Sequence, residues 1–372
     1  MSARMPAEVF PPGEFLRDEL EARSWTQQEL AEILDRPPRL VSEIISAKRA
    51  ITPETAKGLA EAFDSSAEYW MNLESQYQLS KVKTDNNKVA RKAKLYSLFP
   101  VREIIRRGWI QASENLDVLE ARFCEFFDIN DLNQKPSICH YAKKTNFENE
   151  ATALQMAWLF RAKQLAKQQV VKNYKPEQLR QAIEELKKLL NAPEEARKAP
   201  LILANAGVRL VFVEAIAGSK IDGACFWLSD DKPVVSMTLR FDRIDNFWFV
   251  LRHELEHVLR EDGKDGAGAM VDSNIGEDDD TLAECERLAN DAAQDFCVPT
   301  AQMNDFIARV EPYFSEKKIC LFSQRIQVHP GLVVGQLQRH MGRHDFLRKH
   351  QVKIRSIVLS AAVADGWDLL PQ

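Results

Sequence analysis

One short segment of this 372-residue chain places metal-binding residue types at helical spacing. His253, Glu254 and His257 form the pattern His-Glu-x-x-His. Because a helix turns by about 100° per residue, the two histidines lie on one helix face, and both imidazoles can reach one Zn²⁺ ion. Glu254 stands beside the first histidine and can take a proton from a water that the metal activates. The spacing predicts hydrolytic zinc chemistry; a surface helix with two unrelated histidines is the alternative.

A carboxylate farther along the chain is the candidate third ligand. Residues 282–296 have a helical pattern in which Glu284 and Glu286 lie about 200° apart, so only one of them can face the histidines. We prefer Glu286 and keep Glu284 as the second candidate. Asn290 follows Glu286 by one turn and can hydrogen-bond a ligand histidine. Two histidines and one carboxylate leave a coordination position open, as in catalytic rather than purely structural zinc sites.

The elements that must position these residues change from strand to helix. Residues 208–213, 223–228 and 233–239 are β-branched and aromatic, which predicts three short strands. The apolar run 247–251 leads directly into His253 and favours a buried helix. The region 90–200 is helical by pattern and offers no chemistry, so we expect it to connect, orient or dimerise the two ends. A glycine-rich stretch and the acidic run that follows it, 263–280, predict a solvated loop.

The first 80 residues contain helix signals of another kind. Residues 26–29 have the form of a capping box that opens one short helix, and residues 38–46 form a second short helix after a tight turn. This is the helix-turn-helix arrangement, whose second helix enters the major groove of DNA. Side chains that the core does not need are candidates for base contacts (Arg39, Ser42, Glu43) and for phosphate contacts (Arg36, Lys48, Arg49). A helical bundle with solvated charges is the alternative.

Composition and charge restrict the class of protein. Hydrophobic residues make up 45% of the chain, which permits a sizeable core, and the net charge of -5 argues against coating nucleic acid by bulk charge. No apolar run approaches the roughly 18 residues that cross a bilayer, and six cysteines without paired spacing read as reduced thiols. Residues 81–110 hold nine Lys or Arg against two acids, a local charge of +7 that predicts a basic linker after Ser80. We therefore expect a cytoplasmic protein without a membrane partner.

The N-terminal motifs resemble a known DNA-binding family. The similarity to the HigA-type antitoxin branch of the XRE, or Cro/cI-like, domains lies in residues 12–16, 25–31, 41–45, 48–52 and 67–73. It covers about residues 8–80. The resemblance implies a dimeric domain that binds double-stranded operator DNA.

The C-terminal motifs resemble the ImmA/IrrE family of zinc metallopeptidases, which are gluzincin-like and often fused to XRE domains. The similarity lies in residues 242–249, 253–257, 286–290 and 329–338 and covers roughly 195–355. It implies Zn²⁺ as cofactor, held by His253, His257 and Glu286, with Glu254 as base. It also implies an edge strand within 223–239 that holds the substrate backbone by strand addition.

Two positions need separate comment. Glu256 stands where the family has a small residue, and at about 60° from His253 on the helix it could crowd the metal, add charge near it or point to solvent. Among the later histidines, His329 is the one candidate for stabilising a transition state, and we expect a turn or solvated role for each of them.

The sequence thus predicts a multidomain chain: an all-α helix-turn-helix domain (1–80), a basic linker and helical connecting region (81–195), and an α+β zincin-like domain (196–372). The predicted function is a homodimeric operator-binding regulator that carries a zinc metallo-endopeptidase, with a repressor or antitoxin as protein substrate. The alternative is an antitoxin-like autorepressor whose C-terminal domain is a non-catalytic sensing or toxin-binding module.

Overall fold

The computed structural model describes residues 9–82, 87–138, 151–264, 270–273 and 284–367. The chain forms two compact units that divide between Lys88 and Val89. The predicted acidic run 277–280 lies outside the described residues. Within them, no helix is long and apolar enough to cross a membrane.

The first unit is a bundle of five helices. They are α1 (Pro12–Arg23), α2 (Gln27–Ile33), α3 (Pro38–Ile45), α4 (Pro53–Phe63) and α5 (Ala67–Lys81). Apolar residues from all five helices, including Leu16, Leu30, Ile44, Leu59 and Trp70, are almost fully buried in one core. Burial of this core, rather than the propensity of such short helices, stabilises the unit.

Capping side chains fix where these helices begin. Thr26 accepts a hydrogen bond from the backbone N–H of Glu29, and the Glu29 carboxylate accepts from the backbone N–H of Thr26, which completes the predicted capping box. At the start of α5 the N-cap is Ser66, whose side chain accepts a hydrogen bond from the backbone N–H of Tyr69. The preceding hydroxyl, that of Ser65, accepts a hydrogen bond from the indole N–H of Trp70.

The second unit contains twelve of the described α-helices and five strands. The helices are α6 (Lys88–Leu98, which begins at the boundary), α7 (Val101–Arg106), α8 (Leu116–Phe126), α9 (Ala153–Gln168), α10 (Pro176–Lys187), α11 (Ala199–Asn205), α12 (Ile244–Arg260), α13 (Glu284–Cys297), α14 (Thr300–Val310), α15 (Glu316–Arg325), α16 (Pro330–Met341) and α17 (Arg355–Leu359). The strands are β1 (Arg209–Val213), β2 (Ile221–Trp227), β3 (Pro233–Met237), β4 (Met270–Ser273) and β5 (Val363–Asp365).

The strands form one mixed sheet with the order β4-β2-β3-β1-β5. Alternate residues of each central strand enter two different cores: Leu210 and Phe212 of β1 pack on one face, Val211 and Val213 on the other. Because both faces of the sheet are covered, the sequences of these strands are nearly continuous runs of apolar residues.

The helical middle region covers one face of this sheet. The core on that face joins residues of α6 to α9 to residues of β1, β2 and β3, and the Trp158 indole N–H donates to the carbonyl of Val213. Arg107 donates to the carbonyls of Glu214 and Ala215. The structure therefore differs from the predicted three-way division: the described residues of 89–138 and 151–195 belong to the same compact unit as the sheet, rather than to a separate connector. The physical reason is that the sheet has two apolar faces and α12 covers only one.

The position of the predicted edge strand is wrong. Strands β2 and β3, which contain most of 223–239, lie inside the described sheet, since β2 pairs antiparallel with both β3 and β4. The outer strand on this side is β4, in a stretch expected to be a loop. The short strand β5, at the opposite edge, was also not predicted, because three residues give no detectable pattern.

Candidate metal centre and nucleic-acid interface

The helix that carries the His-Glu-x-x-His pattern is buried along most of its length. α12 has 17 residues, and its apolar side chains, among them Phe247, Trp248 and Leu255, pack in the core between the sheet and α13. His253, Glu254 and His257 are all fully buried. Isolated polar groups at such positions would destabilise the fold, so their burial indicates a site built around them.

Three donor atoms converge in this site. The Nε2 atoms of His253 and His257 are 3.1 Å apart, and the Glu286 carboxylate on α13 lies 3.3 Å from the first and 3.6 Å from the second. Glu286 thus takes the position expected of the third ligand. Glu284, the second candidate, is exposed at the first residue of α13.

The donor set fits a zinc ion. Zinc binds nitrogen and oxygen ligands at about 2.0–2.2 Å in tetrahedral geometry, which separates neighbouring ligand atoms by about 3.3 Å. The three observed separations bracket that value. Two imidazoles and one carboxylate also match the chemistry of catalytic zinc sites with three protein ligands.

Each histidine is oriented by a hydrogen bond at its other ring nitrogen. Nδ1 of His253 lies 3.1 Å from the Oδ1 of Asn290, as the sequence predicted, and Nδ1 of His257 lies 2.9 Å from the Oδ2 of Asp262. Donation from Nδ1 places the lone pair on Nε2, the atom that faces the other donors.

Asp262 was not predicted. α12 ends at Arg260, and Glu261 adopts a left-handed conformation with φ of 60°, which turns the chain back so that Asp262 reaches His257. An acidic residue just after a helix is too common to signal this role; the only clue is its position five residues after the second histidine.

Glu254 is directed toward strand β2. A Cβ atom at Gly223 would lie 2.2 Å from the Glu254 Oε1, so only a glycine leaves room for the carboxylate. Gly223 also stands at an irregularity in the β2–β4 pairing. The strand is thus shaped around the side chain predicted to act as base.

Glu256 does not crowd the metal face. Its carboxylate accepts a hydrogen bond of 2.7 Å from the Arg252 guanidinium one turn earlier on α12. This ion pair argues against two of the three roles considered for Glu256, namely crowding the metal and adding negative charge near it. His329 has a structural role, since it is the N-cap of α16 and its Nδ1 accepts from the N–H of Gly331. Burial lowers the pKa of His329.

The predicted DNA-contacting residues form an exposed surface on and beside α3. The helix packs through Val41, Ile44 and Ile45, which leaves Arg39 and Ser42 exposed on its outer side. The flanking residues Arg36, Lys48 and Arg49 are also exposed.

Glu43 organises this surface. Its carboxylate accepts 2.7 Å and 3.2 Å hydrogen bonds from the guanidinium groups of Arg39 and Arg49. The bond from Arg39 is the main reason that the pKa of Glu43 is lowered. The geometry supports an orienting role for Glu43 over the direct base contact also considered for it.

Comparison with known proteins gives matches to about a fifth of the chain. A helix-turn-helix family model matches residues 16–70. Virulence-associated protein A of Dichelobacter nodosus is 42% identical over 78 residues, which is 21% of this chain and 74% of that protein. An HTH-type transcriptional regulator of Haemophilus influenzae is 39% identical over 80 residues, 21% of this chain and 72% of the relative.

Solved structures of antitoxins are also similar. Pseudomonas aeruginosa antitoxin HigA, solved with the higBA promoter, is 36% identical, with 22% of this chain and 91% of that chain covered and a TM-score of 0.21. An antidote protein of the HigA family from Coxiella burnetii is 31% identical, covering 23% and 94%, with a TM-score of 0.21.

Through its N-terminal unit, the chain belongs to the helix-turn-helix family of XRE type. That unit is a helix-turn-helix domain similar to those of HTH-type transcriptional regulators. The prediction of a zinc peptidase rests on the residues of the second unit alone.

Proposed function

We propose that the protein is an operator-binding transcriptional regulator whose second unit is a zinc-dependent endopeptidase acting on a protein partner such as a repressor or an antitoxin. The observation that carries the peptidase part is the triangle of donor atoms from His253, His257 and Glu286, with the buried Glu254 next to His253 on the same helix. No other cluster of His, Cys, Asp and Glu in the described residues combines this donor geometry with two fully buried histidines.

The chain's own groups divide the hydrolytic work. Bound zinc supplies a Lewis acid that polarises the scissile carbonyl and acidifies water. The Glu254 carboxylate accepts the proton of the attacking water and returns it to the leaving amide nitrogen. Asn290 and Asp262 hold the two imidazoles with Nε2 toward the donor triangle.

The first unit supplies the DNA-binding part of the proposal. Arg39 and Ser42 of α3 face the base edges of an operator, while Arg36, Lys48 and Arg49 contact phosphates. The Glu43 carboxylate forms ion pairs with Arg39 and Arg49 and so orients both guanidinium groups. The helix-turn-helix family match supports this assignment, and a homodimer on a two-fold symmetric operator is the expected assembly.

The names of the relatives favour a second candidate. Antitoxins recur among them, so the chain is alternatively an autorepressor whose second unit senses a signal or binds a cognate toxin without hydrolysis. Both candidate functions include operator binding, and they differ only in whether the second unit hydrolyses a peptide substrate.

A Glu254→Gln variant separates them, with Glu256→Gln as the matched control two residues away on the same helix. Zinc-loaded full-length proteins are incubated with a quenched-fluorescence peptide library, and zinc per chain is measured in parallel. We expect about one zinc in all three proteins, hydrolysis by wild type and Glu256→Gln, and a rate at least ~10²-fold lower for Glu254→Gln.

Equal hydrolysis by wild type and Glu254→Gln would refute the assignment of the base. Hydrolysis by none of the three, at full zinc loading, would favour the non-catalytic candidate.

A further inference from the structure

A second group of metal-binding side chains shares no residue with the candidate metal centre. Glu316 and Cys320 are four residues apart on α15, so they lie on one face of this helix, one turn apart. His350 joins them from a short 3-10 helix, Arg348–His350, that follows α16 along the chain. One ligand atom from each residue, a carboxylate oxygen, a sulfur and an imidazole nitrogen, lies within 4.8 Å of the other two. The fold thus brings together donors that are up to 34 positions apart in the sequence.

Packing holds the backbone on both sides of this group. On α15, Ile319 and Phe322 are buried in the core of the second unit. The His350 carbonyl lies against the start of α16, where a Cβ atom at Gly331 would be only 2.4 Å from its oxygen. The same carbonyl accepts a 3.0 Å hydrogen bond from the N–H of Val352. Because the backbone is already ordered, a metal ion has only to orient side chains, which lowers the entropic cost of binding.

Ion pairs leave one carboxylate oxygen of Glu316 directed at the histidine. The Nζ of Lys349 lies 2.7 Å from the Oε2 of Glu316, while the Nε2 of His350 lies 3.0 Å from the Oε1. The Lys349 side chain is 63% exposed, so its ion pair with Glu316 contributes little to stability. A metal ion can bind Oε1 without breaking that pair. Neither ion pair uses the Cys320 thiol, which supplies the third donor.

The chemistry of the three donors selects a class of ion. Zinc binds thiolate sulfur at about 2.3 Å and imidazole nitrogen or carboxylate oxygen at about 2.0–2.2 Å, which separates neighbouring tetrahedral ligands by about 3.3–3.6 Å. The three side chains are only partly buried, so small rotations can bring their atoms to these separations. Thiolate and imidazole ligands favour zinc and related transition metals over magnesium and calcium, which prefer oxygen ligands.

We propose that Glu316, Cys320 and His350 form a second binding site for a divalent ion of the zinc class, independent of the buried metal centre. Its donors are partly exposed and its carboxylate is shared with Lys349, so it binds metal more weakly than the buried donor set. The second site therefore fills only when metal is added, and it loses its ion during gel filtration.

A cobalt titration distinguishes this site from the buried one. Full-length wild type is loaded with zinc, freed of excess metal by gel filtration and titrated with Co²⁺ while absorption spectra are recorded. A thiolate bound to cobalt gives a sulfur-to-metal charge-transfer band in the near ultraviolet, which two imidazoles and a carboxylate cannot give. We expect this band to saturate at about one cobalt per chain, to disappear on addition of Zn²⁺ and to persist in excess Mg²⁺.

Three variants test the three ligands. Cys320→Ser is expected to abolish the band. His350→Ala and Glu316→Gln should each weaken cobalt binding by at least ~10-fold, since even the loss of a ligand's hydrogen-bond partner costs about that much. Cys285→Ser is the matched control, because Cys285 is also partly buried and stands next to Glu286 of the buried centre. Circular dichroism before each titration shows that the variants are folded.

The inference would be overturned if wild type gave no band, or if the band survived Cys320→Ser or was lost in Cys285→Ser. Equal cobalt affinity in wild type, His350→Ala and Glu316→Gln would also overturn it, because Cys320 would then bind the ion alone.

The buried centre can fail without affecting this result. His253→Ala protein should give the same band as wild type, since the two sites share no ligand. Wild type that retains no zinc after gel filtration but gives the full cobalt band would count against the proposed peptidase and support the second site.

Discussion

The two units expose their polar residues in opposite ways. On α3 the side chain of Arg39 is 86% exposed, whereas the side chain of His253 on α12 is 1% exposed. The surface of α3 is organised by neighbours on the chain, since Glu43 contacts arginines four residues before and six residues after it. The metal centre is organised across the fold, since His253 contacts Asn290 at a separation of 37 residues.

This difference separates two kinds of functional site. An exposed recognition surface needs charge in the right place and tolerates water around it, because its ligand displaces that water. A buried donor set requires that every polar atom be oriented before the metal arrives, and α13 and strand β2 provide that orientation.

The largest expected effect is the loss of a metal ligand. A His253→Ala variant is expected to fall from about one zinc per chain to none, measured by metal analysis of protein purified without added zinc. Operator affinity should be unchanged, because the first unit has its own core. His340→Ala, which alters an exposed histidine, is the control; zinc retained by His253→Ala would refute the assigned ligand set.

The second largest effect is expected from a substitution that alters neither the bound zinc nor its three protein ligands. In Gly223→Ala the new methyl group displaces the Glu254 carboxylate, so hydrolysis should fall by about 10²-fold while zinc content stays the same. Because the effect acts through Glu254, adding Glu254→Gln should cause little further loss. An additive loss in the double variant would show that Gly223 acts by another route.

On the exposed surface the expected effect is smaller and depends on salt. Replacing Arg39 and Arg49 together by Ala should weaken operator binding by ~10- to 100-fold and reduce its salt dependence, with zinc content unchanged. Titrations of a selected operator at two salt concentrations measure both quantities, with Arg17→Ala on α1 as the control. Unchanged affinity would exclude α3 as the reading helix.

The smallest expected effect concerns the partner of His257. Asp262→Asn keeps the size of the side chain but removes its charge, and should weaken zinc binding by about tenfold in competition with a chelator. Asp231→Asn, in an exposed turn, is the control. An affinity equal to that of wild type would mean that the contact with His257 does not tune the metal centre.

Local patterns were sufficient wherever a structure depends on near neighbours. The helices of the first unit, the capping box at Thr26 and the short strands β1 to β3 follow from residue types within a few positions. The two candidate histidine ligands could also be predicted, because helical spacing puts His253 and His257 on one face. Their status as ligands stays a prediction until a metal is measured.

Sequence patterns did not predict the role of a residue when that role depends on contacts with residues distant in the chain. Nothing local distinguishes Asp262 from any other acid after a helix, or shows that Arg252 draws Glu256 aside. Strand β4 lies in a stretch that reads as a loop, because four residues gain their extended form only by pairing with β2.

The sequence by itself determined the helices, the helix-turn-helix class of the first unit and the residue types available for metal binding, since all depend on spacing along the chain. Only the tertiary structure decided which carboxylate faces the histidines, which side chains orient them, and that the middle helices cover the second face of the sheet. Those outcomes depend on contacts between distant residues, which form when two apolar faces of one sheet must both be buried.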